Sequence, residues 1–123
     1  MTPPPLDLQW STLFAIAVGG AVGSVLRHFT SLYSAHLGLW SSTILVNMSG
    51  SFLLGFLVVL PWDNNSLSPL IKMAVTTGLL GAFTTFSTFS VENAQWLQRE
   101  NWTMLTLNIL LQVLGGVAMA LLG

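Results

Sequence analysis

The chain has 123 residues, a formal net charge of −1, 53% hydrophobic residues and only 6% charged ones, three basic and four acidic, against roughly 25% charged in soluble domains. So few charges cannot build a water-soluble surface, so a soluble enzyme is excluded and an integral membrane protein of one domain is expected. Without cysteine there is no disulfide, thiolate metal site or cysteine nucleophile, and three basic residues give no electrostatic footprint for nucleic acid.

The charges leave the stretches 8–26, 28–62, 73–91 and 101–123 uncharged. A bilayer core needs about 20 helical residues, so the expectation is an all-α membrane protein, a single four-helix transmembrane domain over 1–123. Its spans fall at 13–30, 39–60, 70–89 and 102–122, with loops at 31–38, 61–68 and 90–101. Thr2 and Pro3 to Pro5 read as an irregular tail. Ala15-Ile16-Ala17 imitates a signal-peptidase site, but no Lys or Arg precedes it, so the first helix is read as a permanent span.

In the first helix, Gly19, Gly20, Gly23, Ser24 and Arg27 share one side, with Gly19 and Gly23 forming a GxxxG that lets backbones approach. Arg27 either serves the interior or snorkels to the headgroups. The second helix carries Thr43, Asn47 and Ser51 at i, i+4, i+8, and the fourth carries Asn108 and Gln112 at i, i+4. Amides in hydrocarbon need partners; interhelical hydrogen bonds are the plain way to supply them, and an ion-lined path is the sharper alternative. The third helix departs most from a plain span: Gly78, Gly81, Thr84 and Thr85 weaken it, which predicts a break near 81–84. Phe83, Phe86 and Phe89 recur every three residues and read as one ridge beside a hydroxyl run. Broken helices at membrane depth tend to mark ion sites.

Arg27 and Arg99 fall on one side of the four spans, and Lys72 with the α-amino group on the other. The positive-inside rule then gives almost no instruction. Insertion in both orientations is allowed, unless loop length or lipid interactions fix one. A chain inserting both ways would pair with its inverted copy.

Three segments carry a resemblance: Gly19-Gly20-Ala-Val-Gly23-Ser-Val-Leu-Arg27, Asn47-Met-Ser-Gly50-Ser-Phe-Leu-Leu-Gly55, and the run from Gly78 through Gly81, Thr84, Thr85, Phe86, Ser87, Thr88, Phe89 and Ser90 to Glu92. Together they resemble the Fluc (CrcB) fluoride channels over nearly the whole chain. The resemblance implies an antiparallel, dual-topology homodimer in the cell inner membrane, expelling fluoride passively without enzymatic activity. It implies a fluoride pathway of Asn47, Thr43, Ser87, Thr88, Ser90 and Gln112 as hydrogen-bond donors, with Phe86 and Phe89 turning electropositive ring edges to the ion. Arg27 and Glu92 would stand in the vestibule. A structural Na⁺ on the dimer axis would bind the backbone carbonyls of Gly81 and Thr84. The partners implied are fluoride, a second inverted copy and the bilayer, with no nucleic acid. Asn108 is a further fourth-helix candidate, and Gly116 lacks a hydroxyl that some relatives have there. The alternative, a small proton-coupled multidrug exporter, needs a carboxylate inside the first helix, and none stands between Asp7 and Arg27.

Overall fold

The structure, a computed structural model, describes residues 9–61 and 69–123. The expected irregular tail and almost all of the 61–68 loop lie outside the described residues. Among the described residues all regular structure is helical: α1 (Trp10–His36), α2 (Ile44–Val59), α3 (Pro69–Met73), a π-helical stretch (Ala74–Leu80), α4 (Gly81–Phe83), α5 (Phe86–Gln98) and α6 (Trp102–Leu122). The segments Trp10–His36, Pro69–Gln98 and Trp102–Leu122 are long and apolar enough to cross a membrane. α2 has 16 residues, about 24 Å at 1.5 Å each, shorter than a bilayer core.

Three expected boundaries are corrected. The loop expected at 31–38 is helical to His36, with the hydroxyls of Thr30 and Ser34 bonded back to the carbonyls of Leu26 and Thr30, both at 2.9 Å. α1 stops only where Gly38, at φ +70°, allows a left-handed cap: Leu39 N–H donates to Ser34 O and Gly38 N–H to Ala35 O. The loop expected at 90–101 is mostly α5, which runs to Gln98 and ends in the same cap geometry, with Glu100 at φ 54°. Asn101 then caps α6, its Oδ1 accepting from Met104 N–H at 3.1 Å. Conversely, 39–43, expected as helix, is irregular, because these residues bond to a carboxylate on α5.

The break in the third span falls at Thr84 (ψ 157°) and Thr85 (φ −152°, ψ 120°), at the C-terminal edge of the expected 81–84. Thr85 N-caps α5, its Oγ1 accepting from Thr88 N–H. The π-helical stretch before the break had no signature in the residue pattern. The three phenylalanines are not one ridge: Phe83 ends α4 and faces Gly50, whereas Phe86 and Phe89 lie beyond the break with ring centroids 5.7 Å apart.

Packing is inverted relative to a soluble domain. Val46, Leu80 and Phe89 are the buried hydrophobic residues among those described, whereas Ser34, Ser41, Thr43, Thr85, Asn108 and Gln112 are buried polar ones. Large apolar side chains face outward along α1, α2 and α6, as lipid requires. With no hydrophobic drive between helices, small residues close the seams. A Cβ on Gly19 or Gly23 would overlap the carbonyl oxygen of Ala74 or Leu79, and one on Gly78 would come within 2.7 Å of Ile16 O. α2 and α6 close similarly at Gly55, against the Ala120 carbonyl.

These contacts separate two neighbouring glycines of α1. Gly23→Ala should cost at least about 2 kcal/mol, since backbone must shift. Gly20→Ala should be nearly neutral, because its Cβ would first meet Gly78 O at 3.9 Å. Chemical or thermal unfolding of the purified variants in detergent, compared side by side, checks the contrast.

Candidate functional site

The site grows from the break. Thr85 has left the helical ladder, so its backbone needs other partners. Asn47, one turn into α2, supplies both: its Oδ1 accepts from Thr85 N–H at 2.9 Å and its Nδ2 donates to Thr85 O at 3.1 Å. This two-point pairing sets the orientation of the amide. The second hydrogen of Nδ2 goes to Gln112 Oε1 at 2.7 Å.

Gln112 carries the network onward. Its Nε2 lies 2.7 Å from Thr43 Oγ1, 3.1 Å from Ser41 Oγ and 2.9 Å from Asn108 Oδ1. Asn108 is fully buried and donates in turn to Asn93 Oδ1 at 3.0 Å. The far end is Glu92. Its Oε2 accepts from Ser41 Oγ at 2.8 Å and Thr43 Oγ1 at 2.7 Å, and its Oε1 from Ser42 N–H at 2.8 Å and Ser42 Oγ at 2.7 Å. The carboxylate stands at the N-terminus of α2, where the helix dipole favours negative charge. Four donors on two oxygens form an anion-binding cradle whose occupant is a side chain of the protein itself.

A cavity of about 340 Å³ adjoins the break, lined among others by Asn47, Ser51, Thr76, Thr85, Phe86, Phe89 and Gln112. Phe89 is 8% exposed and Phe86 78%. A second cavity of about 390 Å³ includes Ser42, Thr88, Glu92 and Arg99. Gln112 lines the first and Glu92 the second, and the two are joined by bonds through Ser41 and Thr43.

Of the residues singled out from sequence, Asn47, Thr43, Gln112, Asn108 and Glu92 share one network, and Phe86 and Phe89 face the cavity beside it. Ser87 and Thr88 join through Thr85 Oγ1, at 3.3 and 3.1 Å. Ser90 bonds back to Phe86 O at 3.0 Å and joins neither cavity described. Arg27 is half-buried on α1, and no described bond or cavity includes it. Gly81 and Thr84 flank the break and line the first cavity. Sequence reasoning missed Ser41, Ser42 and Asn93, and read Thr85 only as a residue weakening the helix. Three consecutive hydroxyls, Ser41 to Thr43, before a helix with no acid in its first turn were the available signal for a carboxylate arriving from elsewhere.

A helical bundle with lipid-facing apolar sides, a broken span and a continuous interior chain of donors defines a membrane protein built around a small polar pathway. The profile of the family described as CrcB-like protein, Camphor Resistance (CrcB), matches residues 14–123. The chain belongs to this family. It is 41% identical over 114 residues to a protein of Azobacteroides pseudotrichonymphae named fluoride-specific ion channel FluC, covering 90% of this chain and 91% of the relative. It is 44% identical over 110 residues to a FluC of Campylobacter jejuni (84% and 86% covered) and 40% over 118 residues to FluC 1 of Yersinia pseudotuberculosis (93% and 91% covered).

The Glu92 cradle is decisive for folding. Glu92→Ala would leave the buried hydroxyls of Ser41 and Thr43 without their carboxylate acceptor, and should destabilise the protein by about 2 kcal/mol or more. Glu92→Gln, which keeps one strong acceptor, should lose less. Unfolding midpoints of the two variants check the order.

Proposed function

We infer that this chain is a fluoride-selective channel that lets the anion leave the cell passively. The observation that carries the reading is the donor chain from Asn47 through Gln112 to Thr43, set beside Phe86 and Phe89 in a chain that is 35–44% identical to relatives named for fluoride conduction. Fluoride is small, strongly hydrated and only accepts hydrogen bonds, so its path must replace water with donors. The interior of the described residues offers hydroxyl and amide donors and aromatic edges rather than a fixed cation, which suits conduction, because a tightly held ion does not leave. Hydrogen fluoride enters as a neutral acid and dissociates inside. The inside-negative potential then drives the anion out with about 2.3 kcal/mol per charge per 100 mV. No substrate is transformed, and the protein is a transporter rather than an enzyme.

The geometry sharpens the role of Asn47. Both of its amide hydrogens are already placed, on Thr85 O and Gln112 Oε1. A fluoride bound there takes over a hydrogen from one of these oxygens, an exchange of acceptors rather than the filling of an empty socket. Thr43 works likewise, since its hydroxyl is held by Glu92. The electropositive edges of Phe86 and Phe89 supply the contacts made while such an exchange is incomplete.

Two features belong to the same reading. The first is an antiparallel homodimer inserted in both orientations in the inner membrane, supported by the near-balance of Arg27 and Arg99 against Lys72 and by the exposure of Phe86, a cavity-lining ring that a second copy would cover. The second is a structural Na⁺ held by the Gly81 and Thr84 carbonyls of both copies. In an unbroken helix these carbonyls would accept from Thr85 N–H and Thr88 N–H, but here those donors go to Asn47 Oδ1 and Thr85 Oγ1. Carbonyl oxygens relieved of their helical donors are the hard ligands that suit Na⁺, and a cation there would offset negative charge passing nearby.

Fluoride efflux from liposomes containing only this protein tests the function. The wild type should release fluoride rapidly and Asn47→Asp at least about tenfold more slowly, because the new carboxylate both loses two donors and repels the ion. A wild type that releases no fluoride overturns the reading. Topology has its own test: Ala35→Lys, His36→Lys and Leu37→Lys together, at the exposed end of α1, should fix one orientation and abolish fluoride resistance in cells unless an oppositely biased copy is co-expressed.

A further inference from the structure

A serine or threonine on a membrane-spanning helix ordinarily spends its hydroxyl hydrogen on the carbonyl one turn back, because hydrocarbon offers no other acceptor. Thr30, Ser34, Ser49, Thr76, Thr84 and Ser90 all do so here, at 2.6 to 3.0 Å. Ser51 does not. Its hydroxyl bonds neither to Asn47 O, one turn back, nor to any other described residue, and an unspent hydrogen at this depth is costly unless something in the interior accepts it. The oxygen is open rather than sealed in: among the described residues no enclosed side-chain oxygen or nitrogen lacks a partner, and Ser51 lines the cavity beside the break. Every other polar side chain on that wall is engaged, Asn47 and Gln112 within the network, Thr85 on Thr88, and Thr76 and Thr84 on the carbonyls of Lys72 and Leu80. Close packing does not explain the serine either. α2 and α6 are tight at Gly55, whereas at Gly116, opposite Ser51, a Cβ would meet only Met48 Cε and Ser51 Oγ, both at 3.7 Å.

We propose that Ser51 is a further fluoride-binding donor, one helical turn beyond Asn47 on the side away from Glu92, where the ion exchanges water for hydrogens of the protein. The proposal rests on the channel reading for the identity of the ion. Ser51 stands four residues after Asn47 on the same face of α2, about 6 Å further along the axis, so a small anion leaving one donor is met by the other. The cavity holds about 340 Å³, and Leu54, Leu80 and Val113 also line it. It has room for water beside an ion but few other groups to solvate one. Ser51 supplies its hydrogen without first giving up a resident acceptor, as Asn47 and Thr43 must. It therefore replaces one water of the hydrated ion before the engaged amides are reached. The requirement is for a hydrogen at this place, and either side of the seam between α2 and α6 can carry it.

Fluoride efflux from liposomes containing the full-length protein tests this, with unfolding midpoints in detergent measured on the same preparations. Ser51→Ala should slow efflux at least about fivefold, the loss of one hydrogen bond to an ion, with its midpoint unchanged. Ser49→Ala, at the exposed neighbour that bonds back to Leu45 O, should conduct at the parent rate. The hydroxyl can be returned from across the seam, because Gly116 has space for a side chain beside Ser51. In the Ser51→Ala background, Gly116→Ser should recover most of the lost rate and Gly116→Ala none of it. Efflux by Ser51→Ala at the parent rate overturns the proposal. So does equal recovery by Gly116→Ser and Gly116→Ala, which would make Ser51 a filler of the seam, and so does efflux that stays slow with both. A parent protein that conducts no fluoride overturns the channel reading and the role of Ser51 with it, an outcome distinct from a conducting parent that Ser51→Ala matches.

Discussion

The two hydrogen bonds between the Asn47 amide and the backbone of Thr85 are the constraint from which the rest of the site follows. A helix opened at membrane depth exposes N–H and C=O groups that each cost several kcal/mol if left in hydrocarbon. A side-chain amide matches a peptide group donor for acceptor, so one Asn satisfies both freed groups of one residue. With that pairing made, Thr85 can point its hydroxyl along α5 as a cap, the carbonyls of Gly81 and Thr84 lose their helical donors, and Phe86 and Phe89 restart on a new axis. The remaining hydrogen of Asn47 then fixes Gln112, and through it Thr43 and Ser41.

The opposite end of the network is fixed by charge. The half-buried Glu92 carboxylate gives up part of its water and needs compensation. Four short donations and the N-terminus of α2 provide it, and the irregular 39–43 segment exists to deliver them. α2 is short for the same reason: residues that could have extended it are engaged in holding a carboxylate. The two ends meet at Gln112, whose amide accepts from the Asn47 side and donates to the hydroxyls on the Glu92 side. Its neighbour Asn108 ties the same point to Asn93 on α5, so α2, α5 and α6 are joined by polar bonds where lipid offers no apolar drive.

How much of this was legible in the sequence depended on the range of the interaction involved. The membrane class and the number of helices followed from charge spacing. Asn47 and Ser51 on α2, the pair Asn108 and Gln112 on α6, and the close packing at Gly19 and Gly23 followed from helical periodicity, whereas Thr43, expected on the same stripe, stands just before α2 as its N-cap. The break was expected from composition near 81–84 and falls at its C-terminal edge, at Thr84 and Thr85, where Asn47 takes up the freed peptide groups of Thr85. Helix ends were misplaced at 31–38 and 90–101 for a related reason: caps at Gly38 and Glu100 are set by local backbone angles that hydropathy does not encode. Ser41, Ser42 and Asn93 were missed because their partners, Glu92 and Asn108, lie far along the chain. The tidy spacing of Phe83, Phe86 and Phe89 misled, since a three-residue repeat describes a ridge only while the helix is continuous.

A proposed pathway whose amide donors are engaged looks at first like poor design for an anion, but on that reading saturation would make it selective. An empty polar socket would fill with water, and removing that water would be charged against the ion. On the proposed route the resident acceptors are the oxygens of Thr85, Gln112 and Glu92, and a permeating ion would compete with them for the same hydrogens. A large, weakly accepting halide cannot match a carbonyl or carboxylate oxygen and gains little from the exchange. Fluoride can match it, because its charge is compact and its hydrogen bonds are charge-assisted and short. The bonds broken and the bonds made then nearly cancel, which keeps the landscape shallow along the route. The aromatic edges of Phe86 and Phe89 fit this logic, since they offer positive potential without competing hydrogen-bond acceptors. They can steady an ion between one set of donors and the next while giving water no comparable reason to stay.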